Sequence, residues 1–493
     1  MKPESSLRAR ALRGSAWTFV SYGVGNLLRL GSTLVLAHVL FPEAFALTAL
    51  AGIVLQALGM FSDLGIGPAI VRSSRSDSAQ FLNTAWTIQA VRGIILWLAC
   101  VALAWPVASF YDAPDLIWVL PAGGLSAAVA GFRSTELHRR MREMDFGTIT
   151  LLEFAETLVR VIVTVAWALM WPTVWAIIGG ALVSCVLFTI ATHVVFRGFR
   201  NRFAWDREAA KQILHFGWWV FLSTSMTFLA LQSDRLILGW LSSLDILGVY
   251  SIAYAFSRLP AEVTLRLAGQ VQFPALAEVH RNDPTTTNAK LLASRRLILA
   301  VSQFGTLGII IVSPWFFTQL YDSRYADAAV FAPLLSAATW PLLLQVAADR
   351  ALLAAGDARS IAFSNTANAF ITVISCTIGF KVAGMVGFIC GVGLGNLAGH
   401  GVVMYALARK NIRIVRQDAM FTALIASVAA MTVGLPLAWP AIAGTTWGRI
   451  ALGGCGLLVS AGFGYRAMAT LVAAPLRRYI ARIWPGRSVR VAP

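Results

Sequence analysis

The sequence predicts an all-α polytopic membrane protein: fourteen transmembrane helices arranged as two six-helix bundles related by a parallel repeat, plus two C-terminal helices. Three observations lead there. Of 493 residues, 58% are hydrophobic and only 13% charged, about half the ~25% charged share of soluble domains. The basic residues collect between apolar stretches and mostly on one predicted face. A gap-free offset of 202 residues pairs the first helices with the seventh and eighth.

Crossing a bilayer takes about 20 mostly apolar residues. Such stretches run near 14–39, 43–63, 84–110, 115–137, 146–171 and 174–196, then 216–240, 245–270, 297–320, 327–353, 360–380 and 384–408. Two more, at 419–440 and 447–470, follow. The eighth and tenth carry mid-segment prolines, Pro260 and Pro341. Lys2, Arg8, Arg10 and Arg13 lead straight into the first stretch, which reads as an uncleaved span with a cytoplasmic N-terminus. With that orientation, 28 of the 40 basic residues fall on the cytoplasmic face, three on the opposite face (Arg324, Lys381 and Arg449) and nine within spans. The net charge of +17 is therefore a topology signal, and no nucleic-acid partner is expected.

The offset of 202 places Trp17 on Trp219, Phe19 on Phe221, Ser21 on Ser223, Leu36 on Leu238 and Glu43 on Asp245. Six spans separate the copies, so both halves keep one orientation. The expected domains are 1–212 and 213–412, one six-helix bundle each, and 413–493, two extra helices with a basic cytoplasmic tail.

Several segments resemble the oligosaccharide flippases of the multidrug/oligosaccharidyl-lipid/polysaccharide exporter superfamily. They are Gly14 to Trp17, the hairpin Leu36-Ala37-His38-Val39-Leu40-Phe41-Pro42-Glu43-Ala44-Phe45, the run from Asp63 to Arg72, Asn83-Thr84-Ala85-Trp86, and Arg92-Gly93. The resemblance implies a non-enzymatic flippase in the bacterial inner membrane. It would carry an undecaprenyl-diphosphate-linked oligosaccharide across by alternating access, for exopolysaccharide or O-antigen synthesis. Implied partners are the polyprenyl-diphosphate oligosaccharide, membrane lipids and a polysaccharide polymerase complex. Alternatives are a multidrug or cation antiporter of the same superfamily and a membrane glycosyltransferase or polymerase.

Charges at bilayer depth cost at least ~2.5–3.5 kcal/mol and mark candidate sites. Arg29 and Arg92 lie within the first and third spans. Glu153, Glu156 and Arg160 share one face of the fifth. Asp234 and Arg235 adjoin in the seventh, and Arg258, Glu262 and Arg266 share a face of the eighth. The expected substrate-binding residues are Arg29, Arg92, Arg235, Arg258 and Arg266, in a cavity between the two six-span halves. Glu153, Glu156, Arg160, Asp234 and Glu262 are expected to serve coupling or ion pairing. The modest cationic excess suits a diphosphate, whose oxygens accept bidentate guanidinium contacts. Arg133 is expected to snorkel from a span end.

Trp17, Trp86, Trp97, Trp105, Trp118, Trp171, Trp175, Trp315 and Trp340 could stack on sugars, but lie mostly near span ends and read better as an interfacial belt. The five cysteines read as packing residues. No nucleotide-binding loop, metal cluster or nucleophile–base set is expected, and no cofactor.

Overall fold

A computed structural model describes residues 23–429, apart from 63–65, 67–69, 71–77, 143–145, 197–200, 209, 211–227, 230, 274–275, 277–286 and 355–356. The fourteenth expected span, the second half of the thirteenth, and the repeat partners Trp17, Phe19, Ser21, Trp219, Phe221 and Ser223 lie outside these residues. All regular structure among the described residues is helical. Among the described residues, six helices are long and apolar enough to cross a membrane. The chain divides into two compact units: residues to Ile252 with Tyr321–Tyr325, and Ala253–Leu320 with Ala326 onward.

The first unit contains α1 (23–39), α2 (Pro42–Phe61), α3 (Ala79–Phe110), α4 (Leu116–Gly131), the short α5 (Glu136–Arg142), α6 (Phe146–Met170) and α7 (Val174–Val195). It also holds α8 (231–241) and the start of α9 (Leu244–Ser257). Helix bounds repeat at the offset seen in sequence: α1 and α8 end at 39 and 241, and α2 and α9 begin at 42 and 244. Pro42 opens α2 at a first-turn position, where its missing N–H costs nothing.

Small residues let α3 and α4 approach closely. A Cβ on Gly93 would lie 2.7 Å from Ala127 O and one on Gly124 would lie 2.7 Å from Cys100 Cβ. The segment Tyr321–Tyr325 closes over the α1–α2 turn. Tyr325 donates its hydroxyl to Leu40 O at 2.9 Å, and Arg324 lies 4.6 Å from the Phe41 ring centre. Hydrogen bonds from Arg324 hold the Asp322 carboxyl below the ordinary carboxylate range.

The second unit contains α10 (Leu259–Leu267), followed by a π-helical turn at Ala268–Gln272, then α11 (Thr287–Leu320), α12 (Ala328–Ala354), α13 (Ala358–Arg409) and α14 (Val415–Ala429). The expected eighth span is interrupted at Arg258, just before Pro260 at the start of α10. By contrast α12 stays helical through Pro333 and Pro341. The expected eleventh and twelfth spans are the two arms of α13, joined at a kink where Gly384 adopts φ 56° and ψ −140°. That backbone region is nearly exclusive to glycine. Near the kink the arms are close enough that a Cβ on Gly391 would lie 2.6 Å from Cys376 N.

Arg295 does not belong to a loop, where the charge distribution placed it. The α11 helix begins ten residues before the expected span, and Arg295 is fully buried. Its guanidinium meets Asp418 of α14 at 2.5 Å, Gln417 Oε1 at 3.0 Å and Leu344 O of α12 at 3.1 Å. His400 of α13 meets the other Asp418 oxygen at 2.9 Å. Trp340 is also buried, donating to Thr422 at 2.9 Å, so it is no belt residue. These bonds seat α14 on the core of α10, α11 and α12.

Removing one partner of a buried pair strands the other charge, which costs about 3–5 kcal/mol. Asp418→Ala is therefore expected to lower the thermal stability of detergent-solubilised protein by that amount. The double variant Arg295→Met/Asp418→Leu recovers most of it. Differential scanning fluorimetry measures both.

Candidate functional site: a cationic cavity in the first unit

The apolar character of 115–137 predicts one span, but α4 stops at Gly131. Side chains distant in sequence account for the stop by satisfying the freed carbonyls. Trp86 donates to Phe132 O at 3.3 Å. Gln89 donates to Gly131 O and Arg133 O, both at 3.1 Å. His193 Nε2 lies 2.8 Å from Phe132 O. This non-helical corner aims Arg133 inward.

There Arg133 meets Glu156 at 3.3 Å, while Arg160 reaches the same carboxylate oxygen at 3.7 Å. Arg133 also lies over the Phe188 ring at 4.5 Å and 3.6 Å from Cys185 Sγ. Arg160 donates to Ser184 Oγ at 3.4 Å. Arg133, Glu156, Arg160 and Cys185 line a cavity of about 460 Å³ between α2, α4, α6 and α7. Its remaining wall is mostly small and apolar: Ala51, Gly52, Gly123, Ala127 and Ala181 are among the lining residues. Two guanidinium groups and one carboxylate leave a surplus positive charge in a small-walled space. A planar guanidinium fork fits carboxylate or phosphate oxygens.

The other candidate residues do not gather here. Arg29 is exposed on α1, and its side chain meets no acceptor among the described residues. Arg92 closes the C-terminal end of α2, donating to Gly59 O at 2.7 Å and to Ser62 Oγ at 3.0 Å. That placement satisfies end carbonyls and favours the helix dipole. Arg235 hydrogen-bonds Gln232, which in turn hydrogen-bonds Gln56. Asp234 is buried and accepts from Tyr250 at 2.8 Å. Glu153 is exposed on α6. In the second unit, Arg258 donates to the Tyr254 hydroxyl at 2.9 Å; Glu262 and Arg266 occupy the first and last turns of α10. The Glu156–Arg160 spacing read from the sequence places the two in contact, and Arg133, expected to snorkel, joins the same carboxylate.

A helical chain with several helices long and apolar enough to cross a membrane has the form of a polytopic membrane protein. Residues 35–330 match the profile of the polysaccharide biosynthesis protein family, and the chain belongs to that family. It is 22% identical to the lipopolysaccharide biosynthesis protein WzxC of Escherichia coli (strain K12) over 389 residues, 78% of each chain. It is also 22% identical to the succinoglycan biosynthesis transport protein ExoT of Rhizobium meliloti (strain 1021) over 343 residues, 69% of this chain and 66% of that one. In fold it is similar to the lipid II flippase MurJ in an inward closed conformation. The TM-score is 0.69 at 12% identity, covering 92% of this chain and 99% of that one. A multidrug resistance MATE family transporter in an inward-facing conformation gives 0.64 at 14% identity, covering 79% and 94%.

Hydrogen bonds from a charged donor are worth about 1.5–3 kcal/mol, so Arg92→Met is expected to cost that much in thermal stability. Arg29→Met, at an exposed site without a side-chain partner, is expected to change it by less than about 0.5 kcal/mol. Thermal scans of the two purified variants check the contrast.

Proposed function

We propose that this chain is a flippase for a polyprenyl-diphosphate-linked oligosaccharide in the bacterial inner membrane, with both termini cytoplasmic. The supporting observation is the shared carboxylate: Arg133 and Arg160 face one cavity with Glu156 between them. A diphosphate brings several anionic oxygens, enough to engage both forks at once. The small, apolar remainder of the cavity admits a bulky head without fixing its identity. The polyprenyl tail stays in lipid, and alternating exposure of the cavity carries the head between leaflets. No bond is made or broken, so the activity is transport and not catalysis.

Glu156 sets the charge of the site. Displaced by the substrate, it releases both guanidinium groups to the diphosphate. The names of the relatives, which concern lipopolysaccharide and succinoglycan biosynthesis, agree with this substrate class. A cation antiporter would place an acidic surplus where this cavity has a basic one. Arg235, Arg258 and Arg266 are further candidate substrate-binding residues. The polymerase complex that consumes the flipped product is the natural neighbour. The proposed functional division is 1–212, 213–412 and 413–493.

The test is complementation of a deletion in the chain's own host. Arg133→Gln/Arg160→Gln, expressed at wild-type level, is expected to reduce polymer export at least tenfold and to accumulate lipid-linked intermediate in the membrane. Wild-type export by that variant would refute the assignment.

A further inference from the structure

The three turns α1–α2, α3–α4 and α6–α7 meet at the end of the first unit opposite Arg133, and between them lies a second cavity of about 340 Å³. Phe41 and Glu43, Asp115 and Trp118, and Thr173 and Trp175 line it, a pair from each turn. Ala44, Leu47, Val119 and Val174 supply its apolar wall. The indoles are accessible: Trp118 is 70% exposed and Trp175 39%. Both carboxylates are exposed, and neither has an ion-pair partner among the described residues. Asp115 is the N-cap residue of α4, yet its side chain makes no capping hydrogen bond.

An interfacial belt accounts for tryptophans at this depth, but it needs no carboxylates and no concavity. Apolar ring faces beside unpaired carboxylate acceptors suit a ligand with flat C–H faces and many hydroxyl donors. The same acidic pair repels phosphate. The two cavities are also consecutive along the same helices. On α2 the lining passes from Leu47 to Thr48, on α4 from Val119 to Ala122, and on α7 from Trp175 to Ile177. At 1.5 Å per helical residue, Trp175 and Cys185 are about 15 Å apart along α7.

We propose that this second cavity is a binding site for the sugar portion of the lipid-linked substrate, with Trp118 and Trp175 stacking on a sugar ring and Glu43 and Asp115 accepting its hydroxyls. Built on the flippase reading, it gives the head a polarity. The diphosphate lies at the Arg133–Arg160 end of the α2–α4–α7 track, and the saccharide extends toward the tryptophans.

The probe is the repeat-unit oligosaccharide, released by mild acid from the lipid-linked intermediate that accumulates in the deletion strain. Binding to the purified full chain is followed by saturation-transfer NMR and isothermal calorimetry. Wild type is expected to bind it saturably. Trp118→Ala/Trp175→Ala and the nearly isosteric Glu43→Gln/Asp115→Asn are each expected to weaken binding at least tenfold, the latter without loss of thermal stability. Unchanged affinity in the carboxamide pair, no binding by wild type, or displacement of the sugar by tetramethylammonium would overturn the sugar assignment, the last in favour of a cation cage. If the deletion strain accumulates no lipid-linked intermediate, the flippase reading itself fails.

Discussion

The cost of an unpaired guanidinium in an apolar bundle governs this molecule. Each arginine in such a bundle must find a carboxylate, a helix-end carbonyl or water, and three arginine sites illustrate different solutions. Arg295 is neutralised outright by Asp418, with Gln417 and Leu344 O filling further donors. Arg92 spends its donors on the end of α2. Arg133 and Arg160 divide one carboxylate. The first two solutions use up the charge in holding the fold together. The third leaves a surplus, and the surplus faces a cavity.

Much of the fold was legible from the chain. Apolar stretches located most of the helices, and the offset of 202 anticipated matching helix ends at 39 and 241 and matching starts at 42 and 244. The places that escaped are those where tertiary contacts decide. Nothing local in 115–137 says that Trp86, Gln89 and His193 will satisfy the backbone beyond Gly131 and end the helix there. With that corner hidden, Arg133 reads as a snorkelling end residue. Likewise, Arg295 sits among loop-like charges in sequence, and only the Asp418 side chain, over a hundred positions away, explains its burial. Helical spacing did reveal Glu156 with Arg160, because an i, i+4 pair is local. Interfacial tryptophans were legible as a class, but the pairing of Trp118 and Trp175 with two carboxylates depends on three turns meeting.

Seen along α2, α4 and α7, the first unit offers an amphiphile two chemically distinct stations. One is basic and small-walled; the other is acidic and aromatic. A diphosphate-linked oligosaccharide has the complementary polarity. Membership in the polysaccharide biosynthesis protein family and a fold shared with flippases and multidrug transporters say what kind of scaffold carries these stations.

The central claim is that the surplus charge of Arg133 and Arg160 holds a lipid diphosphate. Native mass spectrometry of the purified chain, equilibrated with equal amounts of undecaprenyl diphosphate and phosphatidylglycerol, tests it most directly. The account predicts that the diphosphate lipid dominates the retained adducts of wild type and is lost from Arg133→Gln/Arg160→Gln. Equal retention by both proteins, or no preference over phosphatidylglycerol in wild type, would contradict it.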